Sequence, residues 1–173
     1  MTAADEPAAE LVEEVDEQGR VVGVVTRREM RARNARHRCT YVVVHAGGRA
    51  VLAHRRAAWK DVWPDRWDLA FGGVCAVGEA WRDAARRELA EEAGVTVDDA
   101  ALVELGVVRH EGEVRVVGRL YSVEHRGPFT FADGEVVEIA WVPLAELADW
   151  AGAHELCDDS RAEVLPRLLH GAC

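Results

Sequence analysis

Gly72-Gly73-Val74-Cys75-Ala76-Val77-Gly78-Glu79, continued by Ala80-Trp81-Arg82-Asp83-Ala84-Ala85-Arg86-Arg87-Glu88-Leu89-Ala90-Glu91-Glu92-Ala93-Gly94-Val95, reads as a glycine loop feeding a carboxylate-bearing helix. Strong helix formers run from Ala80 to Ala93 without an internal Pro or Gly, and Gly94 stands where a left-handed cap belongs. At about 100° per residue, Glu88, Glu91 and Glu92 fall at i, i+3 and i+4 and share one face. Like charges at that spacing repel, so the face calls for cations. Arg82, Arg86 and Arg87 can supply them within a solvated helix. Hard divalent ions, which bind carboxylates together with substrate phosphates, are the other source.

Counting from Gly73 gives a glycine, five residues, Glu79, seven residues, Arg87-Glu88-Leu89, one residue, Glu91-Glu92, one residue and Gly94-Val95. This pattern resembles the Nudix box at every defined position. The resemblance implies Mg²⁺ or Mn²⁺ bound by Glu88, Glu91 and Glu92, with the Gly72 carbonyl as a further ligand, and cleavage of a diphosphate linkage in a nucleotide or other nucleoside diphosphate derivative. It also implies that Glu79 pairs with Arg87 to fasten loop to helix, with Gly73 and Gly94 as further structural positions of the box. The proton acceptor is Glu88 or a carboxylate of Asp133-Gly134-Glu135-Val136-Val137-Glu138; Glu135 is preferred to Glu138, which falls within a strand.

Outside the box, Thr26-Arg27-Arg28-Glu29-Met30, His37-Arg38 and Lys60-Asp61-Val62-Trp63-Pro64 resemble the isopentenyl-diphosphate-isomerase-like branch of the same superfamily. Together these likenesses span about Leu11 to Leu169 and imply an α/β fold, an α/β/α sandwich with a mixed β-sheet. The isomerases carry a cysteine and then a histidine where this chain has Gly72 and Val74, and another histidine where it has Met30; only His37 is in register. Cys75 comes too late to substitute. Hydrolysis is therefore expected over isomerisation. A Nudix-fold binding module without catalysis is the remaining alternative, and the intact box argues against it.

The 173 residues fit one domain, here 11–170 behind a flexible N-terminus of 1–10. At 49% hydrophobic and 30% charged the chain has the composition of a soluble globular protein. No apolar run approaches a membrane span and the first residues lack a basic head, so a cytoplasmic location is expected. The net charge of -10 disfavours nucleic acid as a partner and favours a small-molecule nucleotide or diphosphate. Cys39, Cys75, Cys157 and Cys173 are scattered without a CxxC pair and are expected as reduced thiols. All but one of the 21 basic residues are Arg, as in a GC-rich bacterial genome.

From the N-terminus, Leu11 to Val15 and Val21 to Val25 flank a glycine turn and predict a hairpin extension, either an extra sheet edge or a homodimer contact. Thr26 with Glu29 predicts a capping box on a helix from Arg27 to Ala35. That segment and its exit form the one strongly basic stretch, with Arg27 and Arg38 as candidates to clamp a substrate phosphate. Cys39 to Val44 and Val51 to His54 predict a second hairpin. The following loop carries three tryptophans, of which Trp63 is the candidate to stack on a base; the alternative is a roof over the core. Trp67 to Phe71, Ala101 to Val108, Glu113 to Val123 and Val136 to Val142 read as strands, with helices expected from Pro143 to Trp150 and from about Arg161 to Leu169.

Overall fold

A computed structural model of the protein describes residues 9–171; the expectation of a frayed N-terminus falls, for residues 1–8, outside the described residues, as does Cys173. β1 (Leu11–Val15) and β2 (Val21–Thr26) form the first hairpin. α1 (Arg27–Arg33) follows, and its Thr26–Glu29 capping box is complete. Beyond it come β3 (His37–His45), β4 (Ala50–Arg56) and the two-residue β5 (Trp67–Asp68). α2 (Trp81–Ala93) is the box helix and ends on Gly94 in the left-handed region at φ 67, whose N–H returns to Ala90 and Leu89. β6 (Val103–Glu111), β7 (Arg115–Glu124), β8 (Val136–Pro143), α3 (Leu147–Ala153) and α4 (Leu165–Leu169) complete the chain.

The sheet is mixed. β3 runs parallel to β7 from His37↔Val116 to His45↔Glu124, β6 pairs antiparallel with β7, and β8 pairs with β4. β1 joins the sheet on β3 through Glu14↔His37, so the N-terminal hairpin extends a sheet edge. The β3–β4 hairpin is paired at His45↔Val51 and then opens. Into that opening runs the chain from Phe71 to Ala76, bridged to β3 at Val42↔Phe71 and Cys39↔Val74 and to β1 at Val12↔Ala76. The glycine loop is thus held as a short antiparallel rung beside β3, with the Thr40 N–H donating to Gly73 O at 2.9 Å and the Cys75 N–H to Arg38 O at 3.0 Å.

Strand alternation divides the core between two faces. Val42, Val44 and Leu52 pack with Phe71 against Ala85, Leu89 and Ala93 of α2. Tyr41, Val43, Val51 and Ala53 face the other way, onto Leu147, Ala151, Val164 and Leu168 of the C-terminal segments. Helices on both faces of a mixed sheet make the expected α/β/α arrangement. Two local expectations are corrected. The strand into the loop ends at Asp68, because Asp68 turns its carboxylate back onto the Ala70 N–H at 3.2 Å. The last helix is preceded by one wide turn, Ser160–Val164, with Pro166 in the first turn of α4, where its missing N–H costs nothing. Among the described residues no helix is long and apolar enough to cross a membrane.

Candidate active site

Local chemistry fixes the loop against the helix. Arg87 presents a two-pronged contact to Glu79, Nε to Oε1 at 2.9 Å and Nη2 to Oε2 at 3.0 Å, and Glu79 Oε2 also accepts the Ala76 N–H at 2.9 Å. The remaining Nη1 of Arg87 donates to Glu88 Oε1 at 2.7 Å and Glu91 Oε2 at 3.0 Å. One guanidinium therefore ties the loop down and offsets the repulsion between two helix carboxylates. Arg82 and Arg86 do not join it: they donate to the carbonyls of Asp99, Leu102 and Val97 and secure the chain leaving the helix.

Gly72 and Gly73 are both required by close approach. A Cβ on Gly73 would lie 2.6 Å from Glu88 Oε2, and one on Gly72 would lie 1.9 Å from the Thr40 carbonyl oxygen. The isomerase cysteine has no room at this backbone position.

Glu88, Glu91 and Glu92 line a cleft of about 650 Å³, together with Gly72, Gly73 and Glu135. Glu91 is 59% exposed and Glu88 12%, so the cluster runs from solvent inward. Glu92 is the innermost, accepting the Gly72 N–H at 2.9 Å. Burial, then the neighbouring Glu88, pushes the Glu92 carboxyl up to about 8, and burial also raises Glu88. A buried carboxylate that forms no ion pair among the described residues, at a wall of hard oxygen donors, fits Mg²⁺ or Mn²⁺ in chemistry. As they stand, the described residues hold no cluster of three or more His, Cys, Asp or Glu drawn together as a chelate; Arg87 pulls Glu88 and Glu91 toward itself while the Gly72 N–H holds Glu92.

A model of the NUDIX domain matches residues 35–168. The chain belongs to the Nudix family. Curated relatives agree: it is 40% identical over 157 residues to an uncharacterized Nudix hydrolase of Yersinia pestis, covering 89% of this chain and 84% of that one. A Pseudomonas aeruginosa Nudix hydrolase is 42% identical over 153 residues, covering 88% and 89%. The fold is similar to a Deinococcus radiodurans crystal structure at a TM-score of 0.74 and 22% identity, covering 92% of this chain and 99% of that one. It is also similar to the NUDIX domain of Shewanella oneidensis NrtR, solved in complex with ADP ribose, at a TM-score of 0.58 and 16% identity, covering 84% and 98%. The protein is a Nudix hydrolase, an enzyme that hydrolyses pyrophosphate-containing compounds.

This Nudix hydrolase brings most of the expected residues to one cleft. Arg27 lines it, half-buried beside Glu10, and Arg31 lies one helical turn further on the same wall. Trp63 lines it too, almost fully buried, whereas Trp59 is 64% exposed and Trp67 packs edge-on against Trp150. Arg38 is the exception. Its guanidinium is enclosed by Glu13 at 2.6 Å, the Glu79 carbonyl at 2.8 Å and the Trp81 ring at 4.0 Å, so it braces the loop and is not a substrate clamp. Glu135 also lines the cleft, from just before β8, with its carboxylate on the Lys60 ammonium.

Sequence reasoning noted His37 only for its register with the isomerases and passed over Tyr41 and Asp159 as cleft residues. The alternation of His37, Cys39 and Tyr41 on β3 was a usable signal once β3 is known to be flanked on both sides. Asp159 carried none, since it reads as a helix cap and does accept the Ser160 N–H at 2.7 Å. Cys39, Cys75 and Cys157 are free thiols, as expected.

Proposed function

We propose that this enzyme hydrolyses a nucleoside diphosphate derivative with Mg²⁺ held by Glu88, Glu91, Glu92 and the Gly72 carbonyl. The supporting observation is the convergence in one cleft of these three carboxylates, the cationic side chains of Arg27, Arg31 and Lys60, and the separate carboxylate of Glu135. Bound at the carboxylates, the cation would neutralise the diphosphate and lower the pKa of a water molecule. Glu135 is the acceptor for that water's proton, because it lines the cleft from outside the box with its carboxylate on the Lys60 ammonium. Arg27 and Arg31 orient the substrate by contact with its phosphate oxygens. Glu79 and Arg87 act only through the loop they hold.

The test is phosphate or pyrophosphate release from a panel of nucleoside di- and triphosphates and nucleotide sugars with Mg²⁺. Turnover that disappears with chelator and in Glu92→Gln is expected. Tight binding across the panel without turnover would instead make the protein a sensor.

A further inference from the structure

The most exposed of the large apolar side chains among the described residues stands beside the cleft. Trp59 is 64% exposed. An indole is seldom left so open, because enclosing it removes a large apolar area from water. Trp63 and Trp67, which follow it in the chain, show the usual outcome: they are packed into the core at 5% and 9% exposure, so neither offers a ligand a free ring face. Nor does Trp59 head an apolar patch. The exposed residues beside it in the chain are Ala58 and Asp61, far short of the several hundred Å² that a protein partner covers.

The turn that carries Trp59 is fastened at both ends to Glu135. The Lys60 N–H donates to the Ala57 carbonyl at 3.2 Å, which closes a four-residue turn from Ala57 to Lys60 and puts Trp59 at its tip. At one end the Ala57 N–H donates to the Glu135 carbonyl at 2.8 Å, and at the other the Lys60 ammonium meets the Glu135 carboxylate. Just beyond, the Arg56 guanidinium donates to the Val62 carbonyl from Nε at 3.3 Å and from Nη2 at 3.1 Å, which ties the loop down behind the turn. A side chain on a turn held in this way has little freedom left to lose when a ligand binds.

The same ammonium also lies over the indole, 5.7 Å from the ring centre. Indole, ammonium and carboxylate thus follow one another by contact, and the last of the three is the group assigned above to take the water's proton. A planar group on the indole and a phosphate at that carboxylate are separated by little more than a lysine head, which is the kind of gap that a ribose spans.

We propose that Trp59 stacks on the nucleobase of the substrate at the edge of the cleft. Every base has a π-face, so the contact favours a nucleoside diphosphate over a bare or aliphatic one without choosing among the bases. The proposal rests on Glu135 and the box carboxylates being the diphosphate-cleaving site of the same cleft.

Fluorescence and calorimetric titration of the intact protein with ADP, GDP, CDP, UDP and pyrophosphate, each with Mg²⁺, tests it. At least one nucleoside diphosphate is expected to quench the indole emission, and pyrophosphate is not. Trp59→Ala, an exposed change that the fold tolerates, should weaken that nucleotide by about 5–100-fold and pyrophosphate by less than about twofold. Trp59→Phe keeps a flat ring and should hold the nucleotide within about threefold of the wild type while the quench disappears. The assignment is overturned by no quench with any of the four nucleotides, by unchanged nucleotide affinity in Trp59→Ala, or by equal weakening of nucleotide and pyrophosphate, which would mean that Trp59 acts through Lys60 and Glu135. Turnover separates the two readings. Nucleotide cleavage with the same KM in wild type and Trp59→Ala sinks the stacking and keeps the hydrolase, whereas nucleotide binding that depends on Trp59 without cleavage of any of the four does the reverse.

Discussion

The two ends of the cleft are built in opposite ways. At one end, Glu88, Glu91, Glu92, Arg87, Glu79 and the two glycines come from a single run of sequence, and a helix of known pitch sets their spacing. At the other, His37, Trp63, Val116 and Asp159 come from four segments far apart in the chain and meet through the parallel pairing of β3 with β7 and the return of the C-terminal segment. The first end is crowded with carboxylates beside cations, and the second sets the buried Asp159, hydrogen-bonded to Tyr41 and Ser160, among buried apolar side chains. A contiguous end can be carried unchanged through a family as a unit of chemistry, while a dispersed one can vary residue by residue and so is suited to set specificity.

The sharpest way to break that division is to remove charge at the contiguous end. Glu92→Gln and Glu91→Gln are expected to lower kcat by about 10²–10⁴-fold, and Glu135→Gln to fall in the same range, with little change in thermal stability. Stopped assays at saturating substrate and Mg²⁺ check this. If both box variants turn over normally, the carboxylates are a solvated face and the division between chemistry and specificity collapses.

Gly72→Cys tests the geometry that separates this chain from the isomerases. The new Cβ would meet the Thr40 carbonyl at 1.9 Å, and the backbone would have to move off β3. Overpacking of this kind costs about 3 kcal/mol or more. Denaturant unfolding should show that loss, and an isopentenyl diphosphate assay should show no isomerase activity. Wild-type stability in the variant would mean that the glycine rung is not held against β3.

A smaller effect belongs to the layer beneath both ends. His54 is 3% exposed, stacked on Phe71 at 4.3 Å, and burial pushes it down to about 4. Asp68 on β5 and Glu135 before β8 favour its protonation, while Arg56 and Lys60 oppose it. The folded pKa lies below the unfolded value of about 6.5, so the unfolded chain binds the extra proton between the two. Stability is complete above about pH 6.5 and is lost as the pH falls toward 4, by an amount on the order of 3 kcal/mol for this group. Urea midpoints measured from pH 7.5 to 4.5 should fall on the acid side and fall less in His54→Phe. A parallel fall in the variant would place the acid sensitivity in other groups, His37 first.

How much of this was legible follows from the same contrast. The Thr26–Glu29 capping box, the Gly94 cap and the Glu79–Arg87 pair depend on contacts within one turn or one loop, and each stands as the sequence implied. Arg38 was misread because a sequence displays charge without its partner: Glu13 reaches it only once β1 lies beside β3. The placement of Asp159 in the cleft was invisible for a related reason. Asp159 looks like any helix cap until the wide turn Ser160–Val164 carries it under Tyr41, and no local pattern encodes that crossing.

The smallest expected effect falls on Glu138, three residues beyond Glu135. Glu135 precedes β8, and the register against β4 shifts between Arg55, opposite Glu138, and Arg56, opposite Val136, so the two carboxylates are directed independently. Glu135 reaches the cleft and Lys60, whereas Glu138 lies half-exposed on β8 with Arg55 Nε at 2.9 Å, and Arg55 in turn holds Asp65 at 3.0 Å. An exposed pair of this kind contributes about 0–1 kcal/mol and has no route to the reacting phosphate. Glu138→Gln should therefore leave kcat within about twofold and lower stability by less than about 1 kcal/mol. A loss of activity in Glu138→Gln comparable to that in Glu135→Gln would mean that β8 is rotated or shifted in register in the working enzyme. The acceptor would then belong to the sheet and not to the turn before it.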